Sequence, residues 1–363
     1  MYLFLGVFFL LYGSLHYYFY FRVKSVYLLP YQIKWLLVLI LLVFTFSPLL
    51  VRLFERSELF LAARAFAYTG YIWMAFIFLF FSSSIILESI KLIGFGRSAN
   101  SFLLPAAIAT LIVFYGFFEA RSLKVEKVFL SSPFLKKDEI IRVVQISDLH
   151  LGIMIKDRFL SKVIDEINKL EPDILVSTGD LVDGQSNDIA YLTDYFHKVK
   201  TTYGKFAVLG NHEFYVGLKN SISFLEKSGF KVLRNEYVRV KDNFFVAGID
   251  DDTIQKNIDE KAVLKNIDNN AFVLFLKHKP KVSKDALGLF DLQLSGHTHN
   301  GQIFPFTLIV KIFFPVRSGL INLSSQDREF YLYTSRGTGT WGPPVRFFSR
   351  PEITLFQIMG KNP

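Results

Sequence analysis

Five short motifs gather most of the side chains able to do metal chemistry. In order they are Asp148-Leu149-His150, Gly179-Asp180, Gly210-Asn211-His212-Glu213, a lone His278, and Gly296-His297-Thr298-His299. Five of the seven histidines fall in them; His16, in an apolar run, and His197, on a helical segment, are read as structural or solvated. Asp, Asn and His offer hard oxygen and borderline imidazole donors, which suit Mn, Fe, Zn, Ni or Co. The candidate metal ligands are Asp148, His150, Asp180, Asn211, His278, His297 and His299, more than one ion needs. With one Asp bridging, they suffice for two ions ~3.5–4 Å apart, the arrangement of two-metal phosphoryl chemistry. On extended chain, the i, i+2 pairs Asp148/His150 and His297/His299 point the same way, so each pair can reach one cluster. The chain has no Cys, which excludes disulfides, thiolate zinc sites, a Cys nucleophile and iron–sulfur clusters.

These groups need elements that present them. Ile140–Ile146 is an Ile/Val-rich run that reads as a buried strand ending at Ser147-Asp148. Arg158–Leu170 has helical apolar spacing and stops at Pro172. Strands are expected at Ile174–Ser177, Phe206–Leu209, Lys231–Leu233, Val238–Val240, Phe244–Ala247, Val273–Leu276, Leu292–Leu294, Glu329–Thr334 and Ile353–Ile358, with helices near Ile189–Val199 and Leu218–Glu226. Strands alternating with helices indicate α/β layering. The chemistry-bearing motifs follow successive strands, and ligands of open α/β sheets bind at the carboxyl ends of strands.

Five motifs in this order resemble the calcineurin-like metallophosphoesterase superfamily, with the pattern D-x-H, G-D, G-N-H-[ED], H, G-H-x-H over about Ile140–Ile358. Gly296–Gln302 (GHTHNGQ) and Ser335–Ile353 (SRGTGTWGPPVRFFSRPEI) resemble its bacterial membrane-associated subgroup. The resemblance implies a two-sheet sandwich of α/β (α+β) type, its mixed sheets flanked by helices. It implies two divalent ions, Mn first, with Fe, Zn, Ni or Co as alternatives. Asp148, His150, Asp180 and His299 would hold one ion; Asp180, Asn211, His278 and His297 the other. Activated water would attack phosphorus in line, and His212 would protonate the leaving oxygen or stabilise the equatorial ones. Catalytic roles thus fall to His212 and Asp180, and substrate binding to Asn211. Glu213 would orient His212 or sit at the surface; Asp183 would support the ligands or cap its loop.

The rest of the chain suggests where this chemistry happens. Its 363 residues are 51% hydrophobic and carry a net charge of +9, with mean hydropathy +0.33. Charge-free runs at Met1–Phe21, Trp35–Val51, Ala65–Leu87 and Ser98–Phe118 each approach the ~20 residues that cross a bilayer. The expected organisation is a four-helix transmembrane region over 1–118, a linker over 119–139 and a metallophosphoesterase domain over 140–360. The first run lacks a basic leader and a small-residue cleavage site, so a retained helix is expected. Of the +9, +5 lies in 1–118 and flanks the spans, and no basic run with interleaved aromatics marks a nucleic-acid groove. Counting Lys and Arg on either side favours a multi-pass inner-membrane protein with a cytoplasmic catalytic domain.

Substrate class rests on less. Ile303–Val316 (IFPFTLIVKIFFPV) has Lys311 as its only charge and is too short to span. It is either a buried strand pair or core segment, or an apolar lip beside the metals that dips into the membrane or receives acyl chains, joined by Trp341, Phe347 and Phe348. Arg336, Arg346 and Arg350 are candidate phosphate forks, Arg336 foremost, or partners of surface carboxylates. The leading expectation is hydrolysis of a phosphodiester or pyrophosphate bond in a phosphorylated lipid or lipid-linked diphosphate at the bilayer. The alternatives are a soluble nucleotide or phosphoprotein substrate, and a non-catalytic membrane scaffold or sensor that retains metals.

Overall fold

The computed structural model describes residues 2–93, 102–183, 189–324 and 329–361. Its contacts divide the chain into two units: residues 1–119 with 342–347, and residues 120–341 with 348–363.

The first unit is helical: α1 (Tyr2–Val26), α2 (Tyr31–Thr45), α3 (Ser47–Arg56), α4 (Phe60–Leu92) and α5 (Leu103–Glu119). α4 is long and apolar enough to cross a membrane; α2 and α3 meet that test only together, bent by 56°. The single span expected over Trp35–Val51 is thus broken. Pro48 in the first turn of α3 has no N–H to continue the ladder, and Ser47 Oγ instead donates to Phe44 O at 2.8 Å. α5, at 17 residues, is apolar but shorter than a full span, and residues 98–101 of the expected fourth run lie outside the described residues. His16 is buried and fully partnered. Its Nδ1 donates to Tyr12 O (2.8 Å) and its Nε2 accepts from Trp73 Nε1 (3.0 Å). Residues 342–347 belong to this unit, with Arg346 N donating to Gly116 O and the Arg346 side chain fully buried.

The second unit is a sandwich of two six-stranded mixed sheets. The first has strand order β1 (Lys124–Ser132), β12 (Glu352–Gly360), β2 (Ile140–Ile146), β3 (Ile174–Ser177), β4 (Gly204–Ala207) and β5 (Lys231–Val232). The second runs β10 (Gly319–Asn322), β11 (Tyr331–Thr334), β9 (Leu292–Ser295), β8 (Phe272–Leu276), β7 (Phe244–Gly248) and β6 (Glu236–Lys241). β2, β3 and β4 are parallel neighbours, as are β7, β8 and β9, so their carboxyl ends share an edge.

One core packs between the sheets: Val143, Val176 and Phe206 from the first belong to it with Val246, Leu274 and Leu294 from the second. On the outer face of the first sheet, α6 (Asp157–Lys169) buries Leu160, Val163, Ile164 and Ile167, the helical spacing visible in the sequence. Among the described residues, further α-helices are α7 (Thr193–His197), α8 (Asn211–Val216), α9 (Leu218–Lys227), α10 (Glu260–Leu264) and α11 (Phe306–Phe313).

One segment departs from expectation, and the structure decides between the two readings of another. The expected linker 119–139 contains β1, which pairs in parallel with β12 from Lys124↔Glu352 to Ser132↔Gly360. Within Ile303–Val316, Ile303 is buried, but Phe306–Phe313 forms α11 with Leu308, Ile309, Ile312 and Phe313 exposed, which favours the lip over the strand pair or core segment.

Candidate metal centre

The motifs occupy the loops at the shared carboxyl edge. Beyond β2 and β3 the two loops continue side by side: Asp148 N donates to Gly179 O (3.0 Å), His150 N to Asp180 O (3.0 Å) and Leu151 N to Leu181 O (2.9 Å). Asp148, His150, Asp180, His297 and His299 all adopt the left-handed backbone conformation, with φ of 52, 52, 52, 71 and 46°. The extended-chain reason for pairing Asp148 with His150 and His297 with His299 is therefore corrected: tight turns aim these side chains. Each such residue costs on the order of 1–3 kcal/mol, strain that concentrates at functional sites. The motif glycines let backbone approach carboxylate. A Cβ at Gly210 would collide with Asp180 Oδ1, and one at Gly296 with Ser147 and Asp148.

The donor atoms converge in two groups. In the first, His150 Nε2 lies 3.1 Å from His299 Nε2, and Asp148 Oδ1 lies 3.5 Å from His299 Nε2. In the second, His278 Nε2 lies 3.1 Å from His297 Nδ1, 3.2 Å from Asn211 Oδ1 and 3.3 Å from Asp180 Oδ2. Asp180 Oδ2 also lies 4.0 Å from His150 Nε2, which places one carboxylate oxygen at the junction of the groups. His297 and His299 thus separate, one into each group. Sets drawn from both, Asp148/His150/His299 and Asp180/His278/His297, have ligand atoms mutually within 4.8 Å.

The chemistry of these donors fits divalent ions. His278 Nδ1 lies 2.8 Å from Thr178 O, which only accepts, so Nδ1 keeps its proton and Nε2 is the nitrogen that faces the cluster, where a cation would displace its proton. Imidazole nitrogens 3.1 Å apart and aimed at one another suit a shared cation. The charges are strongly coupled. Burial raises the Asp148 carboxyl. Burial would raise Asp180 as well, but His278 and His212 hold it well below its usual value. Burial would lower His278, yet Asp180 and Asp148 push it up to about 10; His297 falls to about 3 through burial and the neighbouring His278.

His212 and its neighbours are arranged differently from expectation. Glu213 neither orients His212 nor sits at the surface. It is fully buried, and its carboxylate accepts four backbone N–H groups: Asp180 (2.9 Å) and Gly210 (2.7 Å) on Oε2, Leu181 (2.7 Å) and Val182 (3.1 Å) on Oε1. Asp183 orients the histidine, with His212 Nδ1 2.9 Å from Asp183 Oδ1. Burial would lower the His212 imidazole, but Asp183 and Asp180 raise it to about 9.

Aromatic rings meet the site: half-exposed Trp341 at 5.6 Å and Tyr215 at 5.5 Å from the His212 ring, and the more buried Phe314 at 5.3 Å from that of His297. Trp341 is held by reciprocal bonds, Gln302 Nε2 to Trp341 O (3.0 Å) and Trp341 N to Gln302 Oε1 (2.9 Å). Sequence reasoning passed over Gln302, and also the acidic run Asp250–Asp252 after β7, where Asp251 Oδ1 accepts from Lys279 at 3.0 Å. An acidic run directly after an apolar strand was the available signal.

The arginine expectations are corrected. The Arg336 guanidinium is taken by Glu126 and by Glu352, whose Oε2 lies 2.6 Å from Arg336 Nε; Glu352 is almost wholly buried and needs that charge. Arg350 Nε donates to Ser122 O at 2.7 Å, and Arg346 is buried in the helical unit.

Sequence comparison agrees with this fold and centre. Residues 141–301 match the family model of the calcineurin-like phosphoesterases. An uncharacterized metallophosphoesterase of Aquifex aeolicus is 40% identical over 262 residues, covering 70% of this chain and 99% of the relative. One from Helicobacter pylori (strain 26695) is 30% identical, covering 84% of each. A Danio rerio relative named a transmembrane protein with metallophosphoesterase domain is 30% identical over 59% of this chain and 52% of its own length. The chain belongs to the calcineurin-like metallophosphoesterase family, and is a metal-dependent phosphoester hydrolase.

Proposed function

We propose that the chain is a membrane-anchored phosphoesterase using two divalent ions, Mn²⁺ foremost, to hydrolyse a phosphodiester or pyrophosphate bond of a lipid-linked substrate. The position of Asp180 Oδ2 between the two donor groups carries the two-ion reading. Asp148, His150, Asp180 and His299 would hold one ion, and Asp180, Asn211, His278 and His297 the other. When bound, such ions stabilise charge on a phosphoryl group and acidify water. His212, held by Asp183, presents its Nε2 to the substrate and gives its proton to the leaving oxygen. The Asn211 amide sits where it can also meet a phosphoryl oxygen.

Membrane anchoring is supported by the length and apolarity of α4, by the bent pair α2–α3, and by the transmembrane designation of the zebrafish relative. The Lys/Arg count of the flanking segments favours a multi-pass arrangement with the catalytic domain cytoplasmic. The lipid-linked substrate is supported by the exposed apolar helix α11 and by Phe314 beside His297. Phosphorus NMR of the purified full chain with Mn²⁺, screened against lipid-linked diphosphates and soluble nucleotides, tests the reading. Preferential cleavage of the lipid substrates is expected; cleavage of nucleotides alone would overturn the substrate assignment.

A further inference from the structure

Helix α11 is amphipathic in the wrong sense for a soluble surface. At ~100° per residue, Leu308, Ile309, Ile312 and Phe313 share one face, with Thr307 opposite its middle. A soluble helix turns its apolar face inward. Here Thr307 is 6% exposed, whereas Leu308, Ile309, Ile312 and Phe313 are 56, 46, 76 and 71% exposed. The inward side is fixed: a Cβ on Gly301 would strike the Thr307 backbone, and Thr298 Oγ1 donates to Arg317 O beyond the helix's end at 2.6 Å. The only charge on the helix, Lys311, lies off the apolar arc, where its stem can lead the ammonium to a headgroup layer.

We propose that this face is a membrane-inserted lip, with Leu308, Ile309, Ile312 and Phe313 in the acyl layer of the bilayer that anchors the chain. The inference rests on the membrane-anchored reading above. The chain passes from the end of α5 at Glu119 to the start of β1 at Lys124 in five steps, at most roughly 18 Å of extended backbone. An anchor that holds α5 in a bilayer therefore keeps the catalytic fold within reach of its surface. The residue after the helix, Phe314, stands against the ring of His297, so the lip adjoins the metal centre. A phosphoryl group whose carrier lies among lipid tails meets the ligands beside it.

The absence of Cys makes a direct test clean. Single-Cys variants I312C and L308C of the full chain, with K227C on α9 as control, are labelled with a fluorophore. They are reconstituted in phosphatidylethanolamine/phosphatidylglycerol vesicles carrying nitroxide-labelled acyl chains. The proposal predicts loss of fluorescence to the nitroxides at 312 and 308 with protection from aqueous iodide, and the reverse at 227. Labels at 312 and 308 quenched by iodide as at 227 would overturn it. So would labels shielded from both quenchers, which would mean that a second copy covers the face. A chain that alkaline carbonate strips from the vesicles would refute the anchored reading itself; retention with iodide-exposed labels would refute only the lip.

Discussion

Glu213 Oε2 accepts the backbone N–H of Asp180 at 2.9 Å, so the carboxylate next to His212 in sequence serves Asp180, the proposed bridging ligand, instead. Its oxygens gather the Asp180 loop and Gly210 at the start of α8, fixing Asp180 relative to Asn211. In Glu213→Gln the amide NH₂ faces N–H donors and loses part of that clamp. Outer partners of metal ligands typically contribute about 10–100-fold in affinity. Mn²⁺ titration of the variant should show weakening of that order with the fold intact by circular dichroism; unchanged affinity would mean that the clamp does not position the ligands.

Asp183 should act through His212. His212→Ala should retain metal while kcat falls about 10²–10⁴-fold, the usual contribution of a positioned proton donor. Asp183→Asn should lower kcat in the same direction with smaller size, KM holding; because Asp183 Oδ2 also lies 3.6 Å from Nδ1 of His150, a modest loss of metal affinity is expected with it. Loss of metal in His212→Ala would instead make it a ligand.

Gly210→Ala tests the close approach. Its Cβ would strike Asp180 Oδ1, so Asp180 must move away from the junction between the two donor groups. Mass spectrometry of metal content should show a deficit, whereas Gly288→Ala, with open space around the added methyl but a backbone φ of 79° that strains an alanine, should lose only stability.

Arg336 is a structural residue here. Arg336→Met leaves the buried Glu352 carboxylate without its cation. A fully buried broken pair costs about 3–5 kcal/mol, and the 22% exposure of the Arg336 side chain reduces this to roughly 2–3. Thermal unfolding should shift down accordingly, with KM for bis-p-nitrophenyl phosphate unchanged; a raised KM at unchanged stability would restore Arg336 to substrate binding.

Much of this was legible in the residues. Ile140–Ile146 and Ile174–Ser177 are strands over those bounds, because short runs rich in Ile, Val and Leu end at polar loop residues and glycine. The ligand-bearing motifs converge because each follows such a strand. β1 escaped notice because its register partner, β12, lies over two hundred residues away, and pairing rather than local pattern makes it a strand. Glu213 was misread for a geometric reason. In Gly-Asn-His-Glu it occupies the third helical position, where a carboxylate reaches back to the N–H preceding the helix. For α11 the sequence left core segment and apolar lip both open, because an apolar run reads alike in either setting; only the structure shows its apolar face exposed.

The two-ion centre is tested most directly by counting metal. Purified full-length chain loaded with Mn²⁺ should contain about two ions per chain and hydrolyse bis-p-nitrophenyl phosphate. Asp180→Ala should lose both the second ion and the activity. An Asp180→Ala chain that keeps its full metal complement and turns over normally would contradict the account.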